Sequence, residues 1–225
     1  MILDLIRNGF SVQTLVNFAA RIFVVFCVLP VHEYAHALTA TKLGDDTARL
    51  QGRLTLAPLA HLDLIGALMI FLAGFGYAKP VPVNPRNFKN PKKGMALTAF
   101  AGPLANLIMA LVMAILANIC IIWHTKSGTT VSQVSYWFFF YAGYINVSLA
   151  VFNLIPVPPL DGSRILNLVL PSKYYFKIMQ YERYIVIVIF VLLLTGILGR
   201  PLGALMSVVY TGIMKLAGLP FSFIN

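Results

Sequence analysis

The chain has 225 residues, of which 59% are hydrophobic and 11% are charged. Soluble globular domains carry about 25% charged residues, so this composition excludes an ordinary water-soluble domain and predicts an α-helical polytopic membrane protein. The 17 basic and 7 acidic residues give a formal charge of +10, which we interpret as basic loops beside anionic lipid headgroups and not as a nucleic-acid site.

Long apolar stretches predict the membrane spans. The first runs from Leu15 to Ala40, which is long enough to cross a hydrocarbon core of ~30 Å as a helix. The next two, Met95–Trp123 and Ser127–Leu160, contain no charged residue. A last stretch, Tyr184–Met214, is interrupted by Gly199–Pro201 and predicts either two short helices or one kinked helix. We therefore expect roughly four to six transmembrane helices.

The region Leu43–Gly94, between the first two of these spans, has a different pattern. Ala48–Leu56 alternates between apolar and polar residues, which predicts a β-strand with one apolar face. The apolar run Leu64–Ala78 has 15 residues, and at ~1.5 Å per residue it is too short to cross comfortably. We expect a short β-hairpin and a re-entrant or interfacial segment here, and not an additional span.

Basic residues predict the orientation of the chain in the membrane. They occur on both sides of the run Leu64–Ala78 and again in Leu160–Arg183, whereas the opposite loop, His124–Gln133, contains only Lys126. Because Lys and Arg collect at the cytoplasmic ends of spans, both basic regions are expected on the cytoplasmic side of the cell membrane. The chain is then a single membrane domain over residues 1–225, with a core at 15–166 and C-terminal helices at 184–217.

The strongest chemical signal is the segment His32–His36, which fits the pattern H-E-x-x-H. On a helix, His32 and His36 project from one face and can bind a single metal ion. Glu33 lies beside that face, where its carboxylate can take a proton from water and pass it to a leaving amine. A polar patch at the membrane interface is the alternative, but an acid within an apolar span costs roughly 3 kcal/mol and so usually marks function.

A catalytic zinc site requires a third protein ligand, and Asp161 is the best candidate. The chain around Asp161 arrives at the same membrane face as His36, whereas His124 is expected on the opposite side. The alternative role for Asp161 is that of a turn former that caps the following helix. Asn153 lies eight residues earlier, where its amide can donate to the oxyanion of the reaction or can cap a helix end, and both roles remain open.

Several segments together resemble the site-2 protease family of intramembrane zinc metalloproteases. His32–Ala37 combined with Asn153–Pro156 and Leu160–Gly162 carries the resemblance, and Gly76–Asn84 and Ala101–Asn106 are further matching segments. Within Ala101–Asn106, a glycine followed by a proline indicates close helix approach and a kink. The resemblance covers about residues 31 to 166.

The resemblance implies that His32, His36 and Asp161 bind one Zn²⁺ per chain and that Glu33 is the catalytic base. The implied reaction is hydrolysis of peptide bonds within or near the transmembrane segments of single-span membrane proteins, as in regulated intramembrane proteolysis. The stretch between the motifs leaves no room for a PDZ or CBS domain, so the chain resembles a minimal prokaryotic type. A regulatory partner is not identified.

Two alternative functions compete with this hypothesis. A non-catalytic membrane metal-binding or transport protein would carry ionisable residues along a path through the membrane. Here the ionisable residues gather at one end of the spans, which favours an enzyme. A different type of membrane zinc protease would use a glutamate as the third ligand, and Glu182, which lies in a basic loop, suits that role poorly.

Overall fold

The computed structural model describes residues 11–66, 68 and 78–222. None of these residues forms a β-strand. Four of the described helical stretches are long and apolar enough to cross a membrane: Val12–Lys42, Pro91–Ser127, Thr130–Asn153 and Gly199–Phe221. The prediction of a helical membrane protein is therefore confirmed.

The first of these stretches consists of two helices joined by a π-helical turn. α1 covers Val12–Phe23, the π-helical turn covers Val24–Val28, and α2 covers Leu29–Lys42. The Ser11 side chain caps α1 by accepting a hydrogen bond from the Thr14 N–H at 3.1 Å. A π-helical turn holds one residue more than an α-helical turn, and such turns are frequent near functional sites.

The next two spans form a tight antiparallel pair. α5 covers Pro91–Ser127 and α6 covers Thr130–Asn153, and the turn between them is only two residues long. Gly128 ends α5 in the left-handed conformation with φ of 62°, which glycine adopts without strain. Pro103 lies inside α5, where it removes one helical hydrogen bond.

Shorter helices connect and follow these spans. Their bounds are α3 Thr47–Leu50, α4 Pro58–His61, α7 Asp161–Leu166, α8 Ser172–Gln180, α9 Glu182–Leu194 and α10 Gly199–Gly218. The C-terminal stretch therefore contains two separate helices, α9 and α10. α9 has 13 residues, or about 20 Å at ~1.5 Å per residue, which is too short to cross.

The apolar core lies where the first stretch meets α5 and α6. Small and β-branched side chains dominate it: Ala20, Val24, Val25 and Val28 pack with Met113 of α5 and with Ala142, Ile145 and Leu149 of α6. On the other side of α6, α10 inserts Tyr210 against Val147 and Val151. The Tyr210 hydroxyl donates a hydrogen bond to the Phe140 carbonyl at 2.8 Å.

The predicted strand Ala48–Leu56 and its β-hairpin are wrong. Thr47–Leu50 forms one helical turn, because Asp45 accepts a hydrogen bond from the Thr47 N–H and starts it. Gly52, with φ of 67°, then ends this turn, and the Arg53 N–H donates to the Ala48 carbonyl at 2.8 Å. These local turn signals outweigh an alternating pattern of only nine residues. The predicted re-entrant run Leu64–Ala78 lies largely outside the described residues.

Candidate active site

His32 and His36 lie on one face of α2, as their four-residue spacing predicts. Both are buried, with 4% and 7% of their surface exposed. Their Nε2 atoms are 3.0 Å apart. The Asp161 Oδ2 atom lies 3.5 Å from the Nε2 of His32 and 3.3 Å from the Nε2 of His36. The structure therefore brings two distant parts of the chain together at one point.

The loop after α6 positions Asp161. Three prolines between Asn153 and Asp161 prevent α6 from continuing, and α7 begins at Asp161 itself. A Cβ atom at Gly162 would overlap with the carbonyl oxygens of Leu154 and Ile155, so the loop folds back more closely than any other residue type allows. Leu160, not Asp161, is the N-cap of α7, and the Asp161 carboxylate points at the imidazoles.

A hydrogen bond from His36 fixes which of its ring nitrogens faces Asp161. The Nδ1 atom of His36 lies 2.6 Å from the Thr98 carbonyl oxygen. A carbonyl can only accept, so Nδ1 carries a proton, and the neutral form of the ring presents the Nε2 lone pair to the cluster. Two imidazole nitrogens and one carboxylate oxygen converge at this point. A bound cation would stabilise such an arrangement.

The electrostatics of Asp161 favour its ionised form. Burial alone would raise the pKa of the Asp161 carboxyl. Coulombic and hydrogen-bond interactions with the neighbouring His36 and His32 outweigh burial and hold this pKa below its ordinary value. The carboxylate is therefore ionised at neutral pH, which is the form that binds a metal.

The cluster has the dimensions of a zinc site. The three ligand atoms of His32, His36 and Asp161 all lie within 4.8 Å of one another. In a tetrahedral zinc site with bonds of about 2.0–2.1 Å, the ligand atoms are about 3.3 Å apart. The observed separations of 3.0, 3.3 and 3.5 Å match that distance. Three protein ligands leave the fourth position free for water or substrate, as in catalytic zinc sites.

Glu33 is buried beside this cluster and is not one of its members. Only 7% of its surface is exposed, and its Oε2 atom accepts a hydrogen bond from the Val81 N–H at 3.2 Å. Val81 belongs to segment 78–84, which forms neither helix nor strand and whose prolines at 80 and 82 exclude a helix. Non-helical backbone therefore lies directly against the carboxylate.

A cavity of about 300 Å³ joins these groups. Its walls include the following: the cluster of His32, His36 and Asp161; Glu33 and Asn153; the segment residues Pro80, Val81 and Val83; and Arg164 and Glu182. Asn153 thus opens onto the same space as the cluster. Glu182, the alternative third ligand, also reaches the wall, but it does not belong to the metal-binding group among the described residues.

Nothing in the sequence marks two of the contacts in this site. The Thr98 carbonyl and the Val81 N–H are backbone groups, and any residue type could supply them. Gly102 is different, because the predicted close helix approach is found there. A Cβ atom at Gly102 would overlap with the Nε2 of His36 and would lie 2.6 Å from the Cε1 of His32.

Comparisons with known proteins support the same chemistry. Residues 117–196 match the sequence model of "Peptidase family M50". The chain is 41% identical to "Putative zinc metalloprotease YwhC" of Bacillus subtilis over 83% of this chain and 85% of that protein. It is 28% identical to "Putative zinc metalloprotease Rip2" of Mycolicibacterium smegmatis over 76% of this chain and 65% of that protein. It is also 26% identical to "Zinc metalloprotease MJ0392" of Methanocaldococcus jannaschii, over 75% and 40%. No solved structure matches.

Two histidines and one carboxylate that could hold one zinc ion, buried at the end of membrane-length helices, are the features of a membrane zinc metalloprotease. With relatives of this kind, the chain belongs to the site-2 protease family, Peptidase family M50. The enzyme hypothesis therefore holds over that of a non-catalytic metal carrier.

Proposed function

We propose that this protein is an intramembrane protease, which hydrolyses peptide bonds within or near the transmembrane segments of single-span membrane proteins, as in regulated intramembrane proteolysis. One observation carries the proposal. The two histidines and Glu33 lie on Val12–Lys42, a helix of membrane-spanning length, so the chemistry takes place among the spans.

Each residue of the site has a distinct role in this proposal. His32, His36 and Asp161 hold the zinc ion, which polarises the scissile carbonyl and makes water more acidic when it is bound. Glu33 takes a proton from the attacking water and delivers it to the departing amine nitrogen. Asn153, on the wall of the cavity, donates its amide N–H to the scissile carbonyl oxygen as negative charge develops there.

The substrate must be extended when it reacts. A helical peptide shields its carbonyl groups in hydrogen bonds between residues i and i−4, and a helix has a diameter of about 10–12 Å. A cavity of about 300 Å³ suits an extended strand better than an intact helix. Substrates with helix-breaking residues near the scissile bond are therefore expected to be cleaved faster.

Co-expression with single-span reporter proteins tests this function. Glu33→Gln keeps the shape of the side chain but cannot accept the proton, so cleavage should fall roughly 10²–10⁴-fold while zinc is retained. Asp46→Asn, which changes an exposed acid, is the control and should cleave like the wild type. Mass spectrometry of the products locates the cut. Cleavage by Glu33→Gln at the wild-type rate would refute the role of Glu33, and cuts confined to soluble loops would refute intramembrane cleavage.

The proposed location is the cell membrane, with the active site towards the cytoplasm. Support comes from the exposed basic residues near the start of α5, such as Lys89, compared with Lys126 alone in the opposite loop. Single cysteines at these two positions, in a chain with Cys27 and Cys120 changed to Ser, can be labelled with a membrane-impermeant maleimide. Intact cells should label position 126, whereas position 89 should require permeabilised cells. The reverse pattern would invert the proposed orientation.

A further inference from the structure

Three buried polar side chains at the interface of α2 and α5 have atoms without a hydrogen-bond partner among the described residues. They are the Nδ1 atom of His32, the hydroxyl of Thr98 and the amide of Asn106, of which both Oδ1 and Nδ2 are unpartnered and no surface is exposed. Buried polar groups without partners are rare in folded proteins, so a group of them beside one site calls for an explanation.

The packing of α2 against α5 places these groups on the same stretch of the helix interface. The ring of His36 contacts the Thr98 carbonyl, and the ring of His32, one turn earlier in α2, contacts Gly102, one turn later in α5. The two helices are therefore antiparallel at this point. Thr98, Gly102 and Asn106 are spaced by four residues and share one face of α5, so the next turn along the interface presents Asn106.

The orientation of the His32 ring leaves its Nδ1 turned away from His36. Its Nε2 atom faces His36, and its Cε1 atom faces Gly102. Because Cε1 lies between the two nitrogens of the ring, Nδ1 lies on the side away from His36. Side chains on a helix lean towards its N-terminus, so the Asn106 amide extends back over the turn of Gly102.

We propose that Asn106 is a positioning residue for the zinc site: in the zinc-bound protein its Oδ1 accepts a hydrogen bond from the Nδ1–H of His32, two groups that are unpartnered in this structure. This bond fixes the proton on Nδ1 and keeps the Nε2 lone pair directed at the metal, as the Thr98 carbonyl does for His36. The two ligand imidazoles are then oriented by one face of α5. The inference rests on the assignment of His32 as a zinc ligand in the proposed function.

Zinc release from the purified protein in excess chelator tests the proposal. Asn106→Leu removes the acceptor at similar size and should release zinc roughly 10–100-fold faster than the wild type. Asn106→Asp keeps an acceptor and should stay within a few-fold of the wild type. Asn146→Leu is the matched control, since Asn146 is equally buried in α6 and its amide donates to the Ala142 carbonyl. It should release zinc at the wild-type rate.

A spectroscopic measurement separates positioning from packing. The chain has four histidines, so selective ¹⁵N labelling gives a simple spectrum, in which the Nδ1–H signal of His32 should shift in Asn106→Leu and not in Asn146→Leu. If Asn106→Leu does not fold, Asn106→Ser, whose side chain is too short to reach His32, replaces it. Zinc release and His32 signals equal to the wild type would overturn the proposal. Zinc retained by His32→Ala would instead refute the ligand assignment.

Discussion

Two aspartates, Asp45 and Asp161, lie in parts of the molecule that surround the carboxylate with different groups. Asp45, in the connection after α2, is fully buried and accepts hydrogen bonds from Thr47, from the Asn84 N–H and from the Asn87 side chain. The Asp161 carboxylate instead faces two imidazole nitrogens. A carboxylate surrounded by donors holds a loop together, whereas one that converges with two imidazole nitrogens can bind a cation.

The largest expected effect comes from removing the carboxylate at the metal site. Asp161→Ala removes one of the three proposed ligands, so zinc affinity should fall by more than the roughly 10–100-fold typical of losing an outer-sphere partner, and cleavage should be lost with it. Chelator competition and the zinc content of the purified protein measure this. Zinc bound normally by Asp161→Ala but lost by Glu182→Ala would mean that the third ligand is the glutamate.

A second prediction concerns the space that Asp161 and the imidazoles share. In Gly102→Ala the new methyl group overlaps with both histidine rings, which must move together with α2 or α5. Zinc affinity should fall roughly 10–100-fold. Gly212→Ala is the control, because a Cβ atom at that position in α10 meets open space. Equal zinc affinities in the two variants would show that α2 and α5 can move apart to accept the methyl group without displacing His32 and His36.

A smaller effect is expected at Asp45, and it should appear in stability alone. Asp45→Asn replaces an acceptor oxygen with a donor that faces other donors, so the free energy of unfolding should fall by about 2–3 kcal/mol. Asp46→Asn, at an exposed neighbour paired with Arg49 at 3.8 Å, should change it by less than about 1 kcal/mol. Denaturation in detergent measures both. Loss of zinc from Asp45→Asn would contradict the distinction between the two aspartates.

The smallest predicted effect is the pH dependence of the contribution that Asp45 makes to the free energy of unfolding. Burial would raise the pKa of Asp45, but hydrogen bonds from Thr47, Asn84 and Asn87 outweigh it and hold this pKa below its ordinary value. A lowered pKa in the folded state stabilises the protein above the unfolded-state pKa of about 3.9. The stability difference between wild type and Asp45→Asn should be constant near neutral pH and shrink as the pH falls below about 4. A difference that grows on acidification would contradict this sign.

The parts of the site that follow from covalent spacing could be predicted from the sequence. A spacing of four residues on a helix places His32 and His36 on one face. Asp161 follows a proline-rich segment that is expected on the same side of the membrane, and it lies 3.3 Å from the Nε2 of His36. The long apolar stretches likewise predicted the spans, since a hydrocarbon core of ~30 Å sets their length.

The parts that depend on backbone groups could not be predicted. The Thr98 carbonyl and the Val81 N–H reach the site through tertiary packing, and the residue types at these positions do not predict the contacts. The strand expected at Ala48–Leu56 failed for a related reason. The hydrogen bonds of Asp45 to Thr47, Asn84 and Asn87 join residues from two distant segments, and this anchoring favours a helical turn over an extended chain.

The π-helical turn Val24–Val28 separates the first span into two helices, α1 and α2. Its additional residue corresponds to about 100° about the helix axis. The face of α1 that packs on α6 is therefore rotated about the helix axis relative to the face of α2 that carries His32 and His36. Deleting one residue from this turn would rotate α1 by about 100° relative to α2, so a different side of α1 would face α6 while His32 and His36 keep their positions on α2.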